Sequence, residues 1–220
     1  MTDNAPRFSD LTLAEFVDHL SSPEPIPGGG SAAAVAASLS GALLAMVARL
    51  SAGRPKYADY TSTIERAEAA GAAAAVRFLE LADQDAAAYG AFAAAMKMPR
   101  ETPDEQETRS AALREAARAA AVVPMEMLRA CRSLAADVEA LAGRSNLNVA
   151  SDVSVAALLV EAAAHGAAEN VLVNLPAVKD ERFESMMTAD VMLLLKDVDD
   201  RAAKAREVVA SGKLRDPEAG

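Results

Sequence analysis

The feature that most narrows the possible folds is the length of the stretches that carry helix formers and no strand signal. From about Thr61 to Met98, and again from about Asp104 to Ala142, the chain runs through Ala, Leu, Glu, Arg and Met. Only Gly71 and Gly90 in the first stretch and Pro124 in the second interrupt these windows. Aromatic residues make up 4% of the sequence and nothing alternates over several residues, so strands have no foothold. The expectation is an all-α, antiparallel bundle of about six helices joined by short connections. Four more helices complete it: one from about Asp10 to Ser21, one from the triplet Gly28–Gly30 to about Ala52, one from about Ser151 to Asn174 and one from about Asp180 to Ser211.

Local signals set the expected boundaries. Leu13, Phe16, Val17 and Leu20 form the apolar stripe of the first helix, and three prolines within Ser21–Pro27 stop it. Ser31 is placed as the N-cap of the second helix. Along that helix Ala33, Ala37, Gly41 and Ala45 recur every four residues and invite close approach by another backbone. Pro124 should kink the fourth helix, and Pro176 should end the fifth. In the last, Val191, Leu194, Leu195 and Val198 line one face and Lys196, Asp199, Arg201 and Lys204 the other. Residues Asp216 to Gly220 are expected to fray.

With 220 residues, 52% of them hydrophobic, the chain can bury a core as one domain spanning 1–220, a protruding helical pair being allowed. Cys131 is the single cysteine, which excludes an internal disulfide and a multi-cysteine zinc centre and fits a reducing compartment. The two histidines, His19 and His165, belong to no ligand motif, so no metal is expected. Met1 to Asp10 is polar and acidic, unlike a secretory signal, and a cytoplasmic location is expected. The uncharged run Ser31 to Ala48 is long enough for a membrane span, but its Ala, Gly and Ser content favours a buried core helix and no membrane partner. A net charge of −10, from 22 basic and 32 acidic residues, opposes a nucleic-acid surface.

Three groups of residues have chemical potential. Pro25-Ile26-Pro27-Gly28-Gly29-Gly30-Ser31 feeds a helix whose free N–H groups favour a carboxylate or polarised carbonyl; a flexible turn with an ordinary cap is an equal alternative. Asp83 and Asp85, two apart on a helix, point in different directions and form no facing dyad. Asp85, with Ala88 and Tyr89 three and four residues on, is the better candidate for a partly buried carboxylate, against the commoner outcome of a solvated acid. Asn148, Ser151 and Asp152 precede Asn170 and Asn174, which share one helical face and offer donors and acceptors for a heterocycle edge, or else bridge helices. His165 could touch a ligand but is more simply a surface or packed residue. The basic turn Arg54-Pro55-Lys56-Tyr57 suits an anionic tail or is an exposed loop.

In their order along the chain, PIPGGGSAAA (25–34), RPKY (54–57), DQDAAAY (83–89), MPRETPDEQETR (98–109), Val123-Pro124, NLNVASD (146–152) and GAAENVLVNL (166–175) resemble the formimidoyltetrahydrofolate cyclodeaminase and methenyltetrahydrofolate cyclohydrolase family. The resemblance covers roughly residues 10 to 185, and the stretch 48–56 is less basic than its counterpart often is in that family. It implies a helical homodimer acting on a tetrahydrofolate derivative, with no metal or organic cofactor. Asp85 is the implied acid/base. Gly28, Gly29, Gly30, Ser31, Lys56, Tyr57, Asn148, Ser151, Asp152, Asn170 and Asn174 are the implied substrate contacts. With no transferase domain in the chain, the cyclohydrolase is favoured over the deaminase. A non-catalytic helical interaction protein is the reading of a different class; in it Asp85→Asn would alter stability alone.

Overall fold

A computed structural model describes residues 7–217. Six helices account for the bundle: α1 (Leu13–Ser21), α2 (Gly29–Ser51), α3 (Thr61–Met96), α4 (Pro103–Leu141), α5 (Ala150–Val178) and α6 (Glu181–Ser211). Short 3-10 turns at Phe8–Asp10, Pro55–Tyr60 and Leu147–Val149 link or precede them, and there is no strand among the described residues. The last three residues of the expected fraying tail lie outside the described residues.

The starts and stops follow capping chemistry. Thr12 and Glu15 form a reciprocal capping box, so α1 begins at Leu13 and not at Asp10. Thr102 and Glu105 do the same for α4, and the Asp180 side chain accepts from the Phe183 N–H to open α6. The expected stripe on α1 is only partly used: Phe16 is buried against Phe8, whereas Leu13 and Val17 stay open to solvent. Pro176 does not end α5, which continues to Val178 and stops where Lys179 turns left-handed. Burial of Leu175 and Val178 holds that last turn despite the missing donor. Helix α4 likewise continues without a break through Pro124.

Helix α2 packs against both α3 and α5. Its small residues set the spacing, as expected: a Cβ built on Gly41 would stand 2.8 Å from the Gly71 carbonyl, and one on Gly71 would stand 2.6 Å from the Gly41 carbonyl. Gly71, a mere interruption in the sequence, is therefore where α3 crosses α2. Helix α5 runs antiparallel to α2, with Ser40 Oγ donating to Ala156 O and the Asn146 N–H donating to Ser51 Oγ, each at 2.8 Å. Both α2 and α5 have the length and apolarity to cross a membrane; in α2, 61% of that window is buried inside the bundle. Cys131 lies fully in the core, where burial pushes its thiol pKa up and leaves it inert.

Beyond the core, α3 and α4 extend as a paired arm. After Ala82 only Ala95 is buried in α3, and nothing in α4 is buried before Ala117. Asp85 thus stands where the arm leaves the body of the bundle.

Candidate active site

The turn between α1 and α2 folds Pro25, Ile26 and Pro27 over the start of α2. Gly28 is the N-cap, in an extended conformation, so the helix begins three residues earlier than a cap at Ser31 would set it. Ser31 is instead the third helical residue. Its hydroxyl is 1% exposed and meets no hydrogen-bond partner among the described residues. The first backbone bond of α2 is Ala32 N–H to Gly28 O, which leaves the N–H groups of Gly29, Gly30 and Ser31 without intrahelical acceptors.

The need for glycine at position 30 is steric. A Cβ there would lie 2.7 Å from Asp85 Cγ and 3.0 Å from Asp85 Oδ1. The carboxylate therefore rests directly on the α2 backbone at its positive end. Asp85 has neither an ion pair nor a hydrogen bond among the described residues, and desolvation raises its pKa above the ordinary aspartate value. Asp83 does different work: its Oδ1 accepts from the Phe8 N–H at 2.8 Å and ties the chain's beginning to α3.

Asn170 and Asn174 close the opposite wall. Asn170 Nδ2 donates to Gly166 O at 2.8 Å, while Asn174 Nδ2 donates to Asn170 O at 2.7 Å and to Ala120 O at 3.0 Å. The last bond has a cause in the sequence. Ala120 is four residues before Pro124, which has no N–H to donate, and Asn174 supplies the missing donor from the neighbouring helix. Those carbonyls fix the amide orientations, so both Oδ1 atoms are left as acceptors.

Together Gly28–Ser31, Asp85, Tyr89, Asn170 and Asn174 line a half-open cavity of about 150 Å³, with Pro25, Ile26, Ala86 and Ala120 completing it. The lining carries both acceptors (Asp85 and two amide oxygens) and donors (helix N–H groups and the Ser31 hydroxyl). Tyr89 was overlooked as a site residue in the sequence, although its i+4 spacing from Asp85 puts it on the same face. Ala120 was overlooked too, and Pro124 was its signal.

The remaining sequence candidates do not join this cavity. Lys56, Tyr57, Asn148, Ser151 and Asp152 gather at the other end of α2, whose 23 residues span roughly 34 Å. There the Tyr57 hydroxyl accepts from the Leu147 N–H at 3.2 Å, Asn146 Oδ1 accepts from the Asn148 N–H, and Lys56 Nζ lies 5.6 Å from the Tyr57 ring centre. Tyr57 lines a separate pocket with Arg54 and Glu65. His165 pairs with Asp199 at 2.8 Å on the exposed α5–α6 face, away from the cavity. Among the described residues no three His, Cys, Asp or Glu side chains gather as a metal site.

Comparison with known proteins agrees with the motif order. Residues 12–192 match the family described as formiminotransferase-cyclodeaminase. A formimidoyltransferase-cyclodeaminase of Rattus norvegicus is 35% identical over 203 residues, covering 91% of this chain but 38% of the rat protein, so the chain spans well under half of that relative's length. A methenyltetrahydrofolate cyclohydrolase of Methylorubrum extorquens is 32% identical over 91% of this chain and 96% of its own length. The crystal structure of a formiminotetrahydrofolate cyclodeaminase from Thermotoga maritima superposes with a TM-score of 0.83 at 30% identity, covering 92% of this chain and 98% of that one. Matched across most of its length by family, relative and fold, the chain belongs to the formiminotransferase-cyclodeaminase family.

Proposed function

We propose that the chain is a one-carbon folate enzyme that hydrolyses 5,10-methenyltetrahydrofolate to 10-formyltetrahydrofolate, with Asp85 as its acid/base. The observation that carries this reading is the desolvated, unpartnered Asp85 carboxylate seated against the start of α2 in a cavity with both donors and acceptors. The methenyl substrate is a cationic amidinium, which a lone carboxylate attracts. Water adds to the amidinium carbon as Asp85 takes its proton. Asp85 then gives that proton to N5 as the carbon–N5 bond breaks, the carbinol proton leaves to solvent as the carbonyl forms, and one proton is released overall. Ser31 Oγ–H and the free α2 N–H groups are the donors for the developing oxygen, while Asn170 and Asn174 receive N–H groups of the heterocycle. No cofactor takes part; the folate is the substrate.

The cyclodeaminase reaction is the second reading, favoured by the likeness to the Thermotoga maritima cyclodeaminase over nearly that protein's whole length. Here N10 closes onto the formimino carbon and Asp85 protonates the departing amine, so that ammonia leaves. That cyclodeaminase is matched over 98% of its own length, so the extent of this chain suits either reaction.

In this proposal the protein works in the cytoplasm as a homodimer. Leu39, Met46 and Leu50 stand exposed on one face of α2 and supply an apolar surface for a second copy. Neither nucleic acid nor membrane is a partner, a net charge of −10 opposing both. Purified protein is to be mixed with methenyltetrahydrofolate and, separately, with formiminotetrahydrofolate. Loss of the methenyl chromophore faster than in buffer supports the hydrolase; its appearance with ammonia supports the deaminase. Silence in both, from folded protein, refutes an enzyme and favours the interaction-protein reading.

A further inference from the structure

The cavity around Asp85 is too small for a whole folate. Sites that bury a small ligand usually enclose about 300–1,000 Å³, whereas this one encloses about 150 Å³. A second, mostly apolar chamber of about 400 Å³ adjoins it, and the two share Ile26 and Ala86. Helical spacing explains the junction. Asp85, Ala86 and Tyr89 face the first chamber; Asp83, Ala86 and Ala87 face the second; Ala86, with a single methyl, lies at the border of both.

We propose that this second chamber binds the arylamide-carboxylate arm of the substrate, a p-aminobenzoyl-glutamate, while the reacting ring sits over Asp85. The assignment rests on the folate reading above. Phe8, Leu11, Ile26 and Pro27 give a flat aromatic ring apolar walls. Arg7 and His19 line the same chamber and meet the terminal carboxylates. Arg7 is available for this, because its one ion pair, with Asp10, is 3.9 Å long with both side chains well exposed. Asp83 holds the Phe8 wall through one oxygen, and its other oxygen accepts the N–H of the arm's amide. The basic turn at Arg54–Lys56, at the far end of α2, is then not needed to hold the first glutamate.

The test uses p-aminobenzoyl-glutamate itself as probe, with two variants outside the Asp85 cavity. Ala87 is exposed on α3, so Ala87→Phe fills the chamber without disturbing the core. Arg7→Gln removes the cation. Calorimetry should register the probe binding to the unaltered protein, weakened about tenfold or more by Ala87→Phe and several-fold by Arg7→Gln. In turnover the probe should compete with the folate, and Ala87→Phe should raise KM by about tenfold with kcat changed less than about threefold. Equal binding of the probe to all three proteins, or none to any, overturns the proposal. Turnover of a folate without competition by the probe also overturns it while leaving the folate reading intact. Absence of turnover with either folate refutes the folate reading instead, and the binding measurement still decides whether the chamber takes the arm.

Discussion

Removing the Asn174 amide exposes how a proline in one helix was compensated from another. Pro124 deprives the Ala120 carbonyl of its helical donor, and Asn174 Nδ2 fills the gap at 3.0 Å. Ala120 is 6% exposed, so water cannot take over freely. Asn174→Ala should therefore destabilise the fold by about 1–3 kcal/mol, the range for stranding a buried polar group. Pro124→Ala restores an N–H at position 124 and with it the bond to Ala120. In that background the same Asn174→Ala change should cost only about 0.5 kcal/mol, leaving a coupling of about 0.5–2.5 kcal/mol. Urea unfolding of the four proteins of the cycle measures it, at one protein concentration, because association would shift the midpoints by mass action. Effects that add to within about 0.5 kcal/mol would refute the reasoning.

Two further outcomes follow from Gly30 and Asp85. A Gly30→Ala methyl overlaps the Asp85 carboxyl, so turnover should fall about a hundredfold as the acid/base is pushed out of place. Gly29→Ala, whose nearest neighbour is Asn170 Nδ2 at 3.8 Å, should keep most activity; steady-state kinetics of the pair distinguishes steric displacement from general loss of a glycine turn. The raised pKa of Asp85 also has a sign. Folding disfavours its charged form, so its contribution to stability is present at acid pH and is lost as pH rises through the folded-state pKa. Asp85→Asn should then melt at a higher temperature than the unaltered protein at neutral pH, with the difference shrinking as pH falls below that pKa; scanning calorimetry across pH checks this, and a constant difference would contradict it.

How much of this was legible in the sequence depends on whether the cause was local. Helix number and type were visible because Ala, Leu, Glu and Arg fill long windows, and the small-residue spacing along α2 foretold the close crossing that Gly41 and Gly71 make. Ser31 looked like a cap because a serine after glycines usually is one. Gly28 caps the helix instead, and the bare Cα at position 30 answers to Asp85, fifty-five residues after Gly30 and outside any local window of sequence. Pro176 looked like a terminator, but burial of Leu175 and Val178 outweighs one lost donor. Within one chain Asn148, Ser151 and Asp152 stand apart from the glycine turn for a geometric reason: antiparallel packing of α5 on α2 sends the start of α5 to the end of α2. The same antiparallel register puts Asn170 beside Gly29, which is why the later asparagines do reach the cavity.

The most direct test of the account is the rate at which Asp85→Asn consumes methenyltetrahydrofolate in a single turnover, enzyme in excess, followed by loss of the methenyl absorbance. The variant should fold and associate like the unaltered protein and lose about a hundredfold or more in rate, the scale of general acid/base catalysis. The unaltered enzyme should itself slow as pH falls through the raised Asp85 pKa, and the variant should not share that limb. An unchanged rate in Asp85→Asn, from an unaltered protein that turns the substrate over, would contradict the assignment of the chemistry to this carboxylate.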